Sequence, residues 1–136
     1  LGTPCTAPPW GSISAVDLRT GKLLWSKALG TARDLGPLGI PSFLPFTIGT
    51  PNSGGTLVTR GGLTFVGAAA EHTFRALDTA TGREVWRVRL STSASATPIS
   101  YRAPRSGRQI VLVAVSGRPA YGMPAGNRLA AFALPQ

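Results

Sequence analysis

The chain has 136 residues, with 14 Lys and Arg against 5 Asp and Glu, a net charge of +9 and only 14% charged residues. The longest apolar run, Ile110-Val111-Leu112-Val113-Ala114-Val115, falls far short of the roughly 20 residues of a membrane-crossing helix and is β-branched like a buried strand. The opening Leu1-Gly2-Thr3-Pro4 has no initiator Met, basic region or apolar region, so neither a signal peptide nor a membrane anchor is expected in this chain.

Taken in order, alternating or β-branched apolar segments bounded by Gly, Pro, Asp and Thr predict strands near 12–17, 23–29, 56–59, 63–68, 74–78, 84–90, 96–101, 108–116 and 127–134. No segment has helical periodicity. Between the second and third strands, residues 30–53 hold Pro37, Pro41, Pro45 and Pro51 among Phe43, Leu44, Phe46 and Ile48. That stretch is too apolar for a floppy linker and too rich in Pro for a central strand, which predicts a long, ordered, packed loop. The basic residues are dispersed along every segment. Their densest cluster, Arg83, Arg87 and Arg89, alternates with Val85 and Val88 around Trp86, which predicts a strand with one solvated and one core face. With neither a groove-fitting helix nor aromatic platforms, no nucleic-acid partner is expected. The single Cys5 cannot form a disulfide within the chain. A buried free thiol is the preferred reading, and pairing with a Cys outside the chain stays open.

An internal repeat organises these strands. Ala15-Val16-Asp17-Leu18-Arg19-Thr20-Gly21-Lys22-Leu23-Leu24-Trp25 recurs as Ala76-Leu77-Asp78-Thr79-Ala80-Thr81-Gly82-Arg83-Glu84-Val85-Trp86, with the Ala, Asp, Thr, Gly and Trp in register. Each copy reads as strand, turn and second strand, the pattern of a propeller blade. A third, weaker copy is Leu129-Ala130-Ala131-Phe132-Ala133-Leu134-Pro135, with Ala133 in the Asp position and no turn after it, as if the chain ended inside a blade. Asp17, Thr20 and Gly21, like Asp78, Thr81 and Gly82, are expected to be turn residues, and Trp25 and Trp86 to pack between blades.

The Ala-x-Asp-x-x-Thr-Gly-x-x-x-Trp word resembles the docking motif of the quinoprotein dehydrogenases, propeller enzymes that use pyrroloquinoline quinone (PQQ). Cys5-Thr6-Ala7-Pro8-Pro9-Trp10-Gly11, Gly49-Thr50-Pro51-Asn52-Ser53-Gly54-Gly55, Gly61-Gly62-Leu63-Thr64-Phe65-Val66-Gly67-Ala68 and Ala96-Thr97-Pro98 are similar to the C-terminal end of the membrane-bound glucose dehydrogenase group. The resemblance implies an all-β fold, a partial β-propeller of about two four-stranded blades plus a closing strand, of the roughly four to eight blades in a closed ring. Residues 1–136 would be a C-terminal fragment of that propeller, with the second docking motif at 76–86 and the last blade at 96–136.

It also implies site residues. The turn Ser53, Gly54 and Gly55 corresponds to one that lies beside the quinone, where paired glycines allow close backbone approach, and an ordinary hairpin turn is the alternative. Glu71 stands where the family usually has Asp and is the next cofactor candidate. His72, the only histidine, does not make a metal site with one Glu. Gly117 and Arg118 resemble the substrate-side Gly-Gly-His-Gly loop, with Arg118 in place of the His and Pro119 in place of the next Gly. An Arg stays cationic where a His could exchange a proton, so an anion-binding or positioning role replaces acid–base chemistry, and a surface Arg following a strand is the alternative.

The implied parent oxidises a sugar or cyclic polyol, glucose foremost, with PQQ and a divalent cation, Ca or Mg, whose ligands lie outside this chain. It passes electrons to membrane ubiquinone at the periplasmic face of the bacterial inner membrane, and its remaining blades are the chain's partners. No catalytic residue is assigned within the chain, and the fragment alone is expected to be inactive. The alternative is a non-catalytic propeller of the same repeats, such as the outer-membrane assembly lipoproteins, serving as a scaffold for partner peptides.

Overall fold

The computed structural model describes residues 5–36 and 40–134. Leu1-Gly2-Thr3-Pro4, Pro37 and Pro135 therefore lie outside the described residues. Among the described residues nine strands follow one another: β1 (Ser12–Asp17), β2 (Lys22–Ala28), β3 (Leu57–Val58), β4 (Leu63–Val66), β5 (Thr73–Asp78), β6 (Glu84–Arg89), β7 (Ile99–Arg102), β8 (Gln109–Val115) and β9 (Arg128–Phe132). All nine expected strands form, several of them shorter than their sequence patterns. They divide into antiparallel sheets β1-β2, β3-β4-β5-β6 and β7-β8-β9. One complete four-stranded blade is thus flanked by a two-stranded and a three-stranded one. Among the described residues no helix is long and apolar enough to cross a membrane.

The repeated turns are built alike. The Gly21 N–H donates to the Asp17 carbonyl at 2.7 Å and the Gly82 N–H to the Asp78 carbonyl at 2.8 Å. The Asp17 carboxylate accepts from the Arg19 N–H, and the Asp78 carboxylate accepts from the Thr81 N–H and hydroxyl, all at 2.8 Å. Both carboxyls are held below the ordinary carboxylate range by these donors, the Arg19 N–H first for Asp17 and the Thr81 hydroxyl first for Asp78. The likeness extends to a feature that no motif announced. Ala15 pairs with Trp25 and Val16 with Leu23, while Ala76 pairs with Trp86 and Leu77 with Glu84, so a β-bulge falls at Leu24 and again at Val85.

The bulge corrects one expectation. In β6 it interrupts the alternation at Val85, which is exposed, while Trp86 packs on Phe74 and Phe132 and Val88 on the Phe74 cluster, with Arg87 and Arg89 exposed. Cys5 is likewise exposed and unpaired rather than buried.

Apolar contacts join the sheets across two seams. Between the first and second sheets, Ile13 and Leu29 pack on Val66, Ala68, Ala69 and Leu77, with Trp25 against the cluster. Between the second and third, Phe74, wholly buried, packs with Ala94, Val111 and Val113, its ring 5.6 Å from Phe132 and 6.1 Å from Phe65. The two repeat tryptophans differ in their support. Trp25 lies on the turn of the next blade, donating its indole N–H to the Thr79 carbonyl at 3.0 Å. Trp86 instead meets Phe132 edge-on at 5.2 Å, where the third repeat copy has Ala133 in place of the turn aspartate.

The described residues of 30–36 and 40–53 pair with one another at the stem of this connection. The Ala32 N–H donates to Phe46 O at 2.9 Å, Gly49 N–H to Gly30 O at 3.1 Å and Thr50 N–H to Leu29 O at 2.9 Å. Ile40, Phe43, Leu44 and Phe46 are exposed, so the apolar tip expected to pack lies uncovered by the described residues.

Gly82 shows why the motif demands glycine. Its φ is +71°, and a Cβ there would meet the Trp25 ring at 2.8 Å, whereas Gly21, at φ +69°, has open space around it. Gly21→Ala should cost about 1 kcal/mol of left-handed strain, and Gly82→Ala at least twice that because the docked ring must also move. Equal losses in urea unfolding of the two variants would show that the Trp25 contact contributes nothing.

Candidate functional site

Antiparallel succession sends the connections alternately to two ends of the sheets. The tight turns 18–21, 59–62, 79–83 and 103–108 share one end, and the longer connections 29–56, 67–72, 90–98 and 116–127 share the other. Every candidate residue, Ser53, Gly54, Gly55, Glu71, Gly117 and Arg118, falls in that second set of loops.

Backbone hydrogen bonds knit these loops together. The Ser53 N–H donates to Ala68 O and the Ala70 N–H to Pro51 O, both at 2.9 Å, which lays the 51–53 segment along 68–70. The Gly55 N–H donates to the Thr97 hydroxyl at 3.0 Å. The Gly117 N–H donates to Ser93 O at 3.0 Å, and the Thr92 hydroxyl to Pro124 O at 2.6 Å. Segment 92–94, buried throughout, therefore serves as the spacer between the Ser53–Gly55 turn and the Arg118 loop. The Trp10 N–H, donating to Gly49 O at 2.8 Å, brings the early Pro-Pro-Trp word to the same end.

The structure gives the paired glycines a specific reason. A Cβ on Gly54, whose φ is +124°, would sit 2.5 Å from Ser95 O, and one on Gly55 would sit 2.5 Å from the Thr97 hydroxyl. The close approach is to the protein's own 95–97 segment. What remains for a ligand is the other side of the turn and the Ser53 hydroxyl, which is buried with no hydrogen-bond partner.

Glu71 departs from the cofactor-contact expectation. It is 1% exposed. One carboxylate oxygen accepts from the Thr31 N–H at 3.0 Å and the Thr31 hydroxyl at 2.9 Å, and the other from the Arg75 guanidinium. Thr31 follows β2 and Arg75 lies on β5, so the carboxylate bridges the first seam and has no free face. Its neighbour His72 contributes backbone: its N–H donates to Asp34 at 2.8 Å, and its carbonyl accepts from Leu90.

Asp34 was not singled out from the sequence, because its partners lie far along the chain. Both its oxygens accept from the Arg89 guanidinium at 2.7 Å, a fork-to-fork pair. Burial alone would raise this carboxyl, but the Arg89 and His72 donors outweigh it and hold it below the ordinary range.

Arg118 is exposed, with its guanidinium 5.2 Å from the Tyr121 ring centroid. Its backbone pairs with Met123 in both directions at 3.2 Å, closing a loop over the short 3-10 turn Pro119–Tyr121. The side chain thus stands exposed at the rim of the loop end.

Stacked antiparallel sheets, two of them joined by a tryptophan lying on the next sheet's turn, with their long loops gathered at one end, define blades of a β-propeller. Residues 1–111 match the family described as "PQQ: Glucose/ethanol/alcohol dehydrogenase, beta-propeller domain", and the chain belongs to it. The chain is 44% identical over 117 residues, 86% of its length, to a probable quinate dehydrogenase (quinone) of Xanthomonas campestris pv. juglandis. It is also 44% identical over 135 residues, 98% of its length, to a glycerol dehydrogenase large subunit of Gluconobacter thailandicus. It spans only 15% and 18% of the lengths of these two relatives. Among solved structures, the quinohemoprotein alcohol dehydrogenase from Comamonas testosteroni aligns with a TM-score of 0.54 and 29% identity over 76% of this chain and 12% of that one.

Glu71→Gln should cost about 3 kcal/mol, because it leaves the Arg75 guanidinium buried without its closest counter-charge. A loss below 1 kcal/mol in chemical unfolding would mean that Glu84 alone neutralises Arg75. The lowered Asp34 carboxyl contributes stability that is fully present above its unfolded pKa, near 3.9, and disappears as pH falls through its lower folded value. Asp34→Asn should therefore lower the melting temperature at pH 6 and shrink the drop in melting temperature between pH 5 and pH 3.

Proposed function

We propose that this chain forms one wall of the quinone pocket in a PQQ-dependent dehydrogenase that oxidises a sugar or polyol and passes electrons to membrane ubiquinone at the periplasmic face. Family membership over residues 1–111 supports the dehydrogenase over the scaffold alternative. The relatives named for quinate and glycerol widen the expected substrate from glucose to polyhydroxylated alcohols in general.

The observation that carries the reading is the Ser53 hydroxyl, a buried polar atom without a partner in a turn at the loop end. An unpaired buried hydroxyl costs about 1–3 kcal/mol, and a polar ligand edge would remove that cost. The residues present fit one edge of a flat, carbonyl-bearing group: Ser53 to donate a hydrogen bond, and the open side of Gly54 to face it closely. Glu71 belongs behind this wall, fixing the 68–71 segment against which the turn is laid. Among the described residues no group of three or more His, Cys, Asp or Glu gathers to hold a metal, so no step is assigned to a cation here. When bound, PQQ supplies the electron-accepting chemistry. The chain's own part is to orient it, to exclude water through the buried 92–94 segment, and to present Arg118 at the rim. A guanidinium is a poor proton donor and acceptor, so Arg118 serves to position substrate hydroxyl or carboxylate groups.

Titration of the full-length apo-enzyme with PQQ tests this. Ser53→Ala should weaken PQQ binding by about three- to tenfold, the worth of one hydrogen bond, with melting of the apo-protein unchanged or raised. Arg118→Ala should raise the KM for polyol substrates with PQQ affinity kept. Unaltered PQQ affinity in Ser53→Ala would leave the turn a structural hairpin only.

A further inference from the structure

Away from the loop-end candidates, a cleft of about 230 Å3 opens along the seam between β2 and the β5-β6 pair, lined among others by Lys27, Thr31, Arg75, Glu84 and Arg87. Three cations face it and only one lining residue is acidic. The Arg75 side chain is 8% exposed. One of its terminal nitrogens is taken by Glu71, while its Nε lies 3.4 Å from Glu84 and makes no hydrogen bond. Glu84 is divided between Arg75 and the mostly exposed Arg87. Lys27 donates to the Gly82 carbonyl, and no carboxylate among the described residues pairs with it.

The cations also work against one another. Burial lowers the Lys27 pKa, Glu84 opposes this and Arg75 adds to it. Burial lowers that of Arg75 too, with Glu84 opposing and Arg87 adding to the shift. Positive charge held out of water without full compensation is costly, and an arriving negative charge offsets both the desolvation and the repulsion. The cleft has room for such a group: a water takes about 30 Å3 of liquid volume, so a small oxyanion with a few waters fills the space. An oxyanion carries several acceptors at once, matching donors that approach from two sheets.

We propose that this cleft binds a small oxyanion, of the carboxylate or phosphate kind, which bridges Lys27 on one blade to Arg75 and Arg87 on the next and ties the seam. The site is independent of the dehydrogenase reading, and its test uses no activity.

Isothermal titration calorimetry of the full-length protein at constant ionic strength should show one saturable site with phosphate or with acetate, and the stronger binder identifies the source. Lys27→Met and Arg87→Gln should each weaken that binding by about tenfold. Both variants leave the Glu71–Arg75 pair intact and should fold. Melting in the same anion series gives a second readout: a saturable rise in the wild type that shrinks in both variants supports the site. No saturable heat and no anion-specific melting shift would overturn it, as when an acidic side chain from elsewhere in the protein already fills the cleft. Equal affinity in wild type and both variants would also overturn it.

Discussion

The contact of Trp25 with the turn at Gly82 is the constraint on which the other blade relations depend. A flat indole can lie on a turn only where no side chain rises from it, and its N–H then reaches the Thr79 carbonyl at 3.0 Å. This fixes the first sheet against the second in both translation and tilt, because a hydrogen bond and a face contact act on one ring. With that relation fixed, Thr31 arrives beside Glu71, Lys27 reaches the Gly82 carbonyl, and Leu29 enters the cluster with Val66 and Leu77. The bulges at Leu24 and Val85 belong to the same device. An extra residue just before each tryptophan changes which face the ring takes, so the ring leaves its own sheet for the next blade.

At the second seam the repeat tryptophan meets aromatic rings in place of a turn. Trp86 has Phe132 and Phe74 as ring neighbours, both edge-on. Aromatic edges give attraction without a fixed hydrogen bond, and Trp86 stays 38% exposed. The burden at this seam shifts to Phe74, which is buried completely and stacks with Phe65 and Phe132. Two copies of one motif thus differ in packing among the described residues.

Much of the architecture was readable because it depends on short-range rules. Period-two alternation and turn residues located all nine strands, and the in-register repeat defined the blades. What escaped reading depends on partners remote in sequence. Asp34 and Arg89 are 55 positions apart, Thr31 and Glu71 are 40 apart, and nothing local marks either pair. The glycines of the Ser53 turn were read as allowing close approach to a flat ligand, and the group they approach here is the 95–97 segment of the same chain. A sequence shows that a Cβ is unwanted without showing what would meet it. In β6 the alternation misplaced Val85 for a related reason: an inserted residue is invisible in a pattern until its partner strand is known.

The chain has five carboxylates, and each is committed to structure. Asp17 and Asp78 close the repeat turns, Asp34 holds Arg89 and the His72 N–H, Glu71 joins Thr31 to Arg75, and Glu84 lies between Arg75 and Arg87. A general base or cation ligand needs a carboxylate whose lone pairs are open to a reacting proton or a metal; those of Asp34, Glu71 and Glu84 are taken by N–H, O–H and guanidinium donors, and Asp17 and Asp78 stand at the tight-turn end, away from the long loops. The distribution of charge therefore divides labour. Carboxylates spent on folding leave the loop end with a hydroxyl at Ser53 and a guanidinium at Arg118, groups suited to orienting a ligand and unsuited to taking its proton.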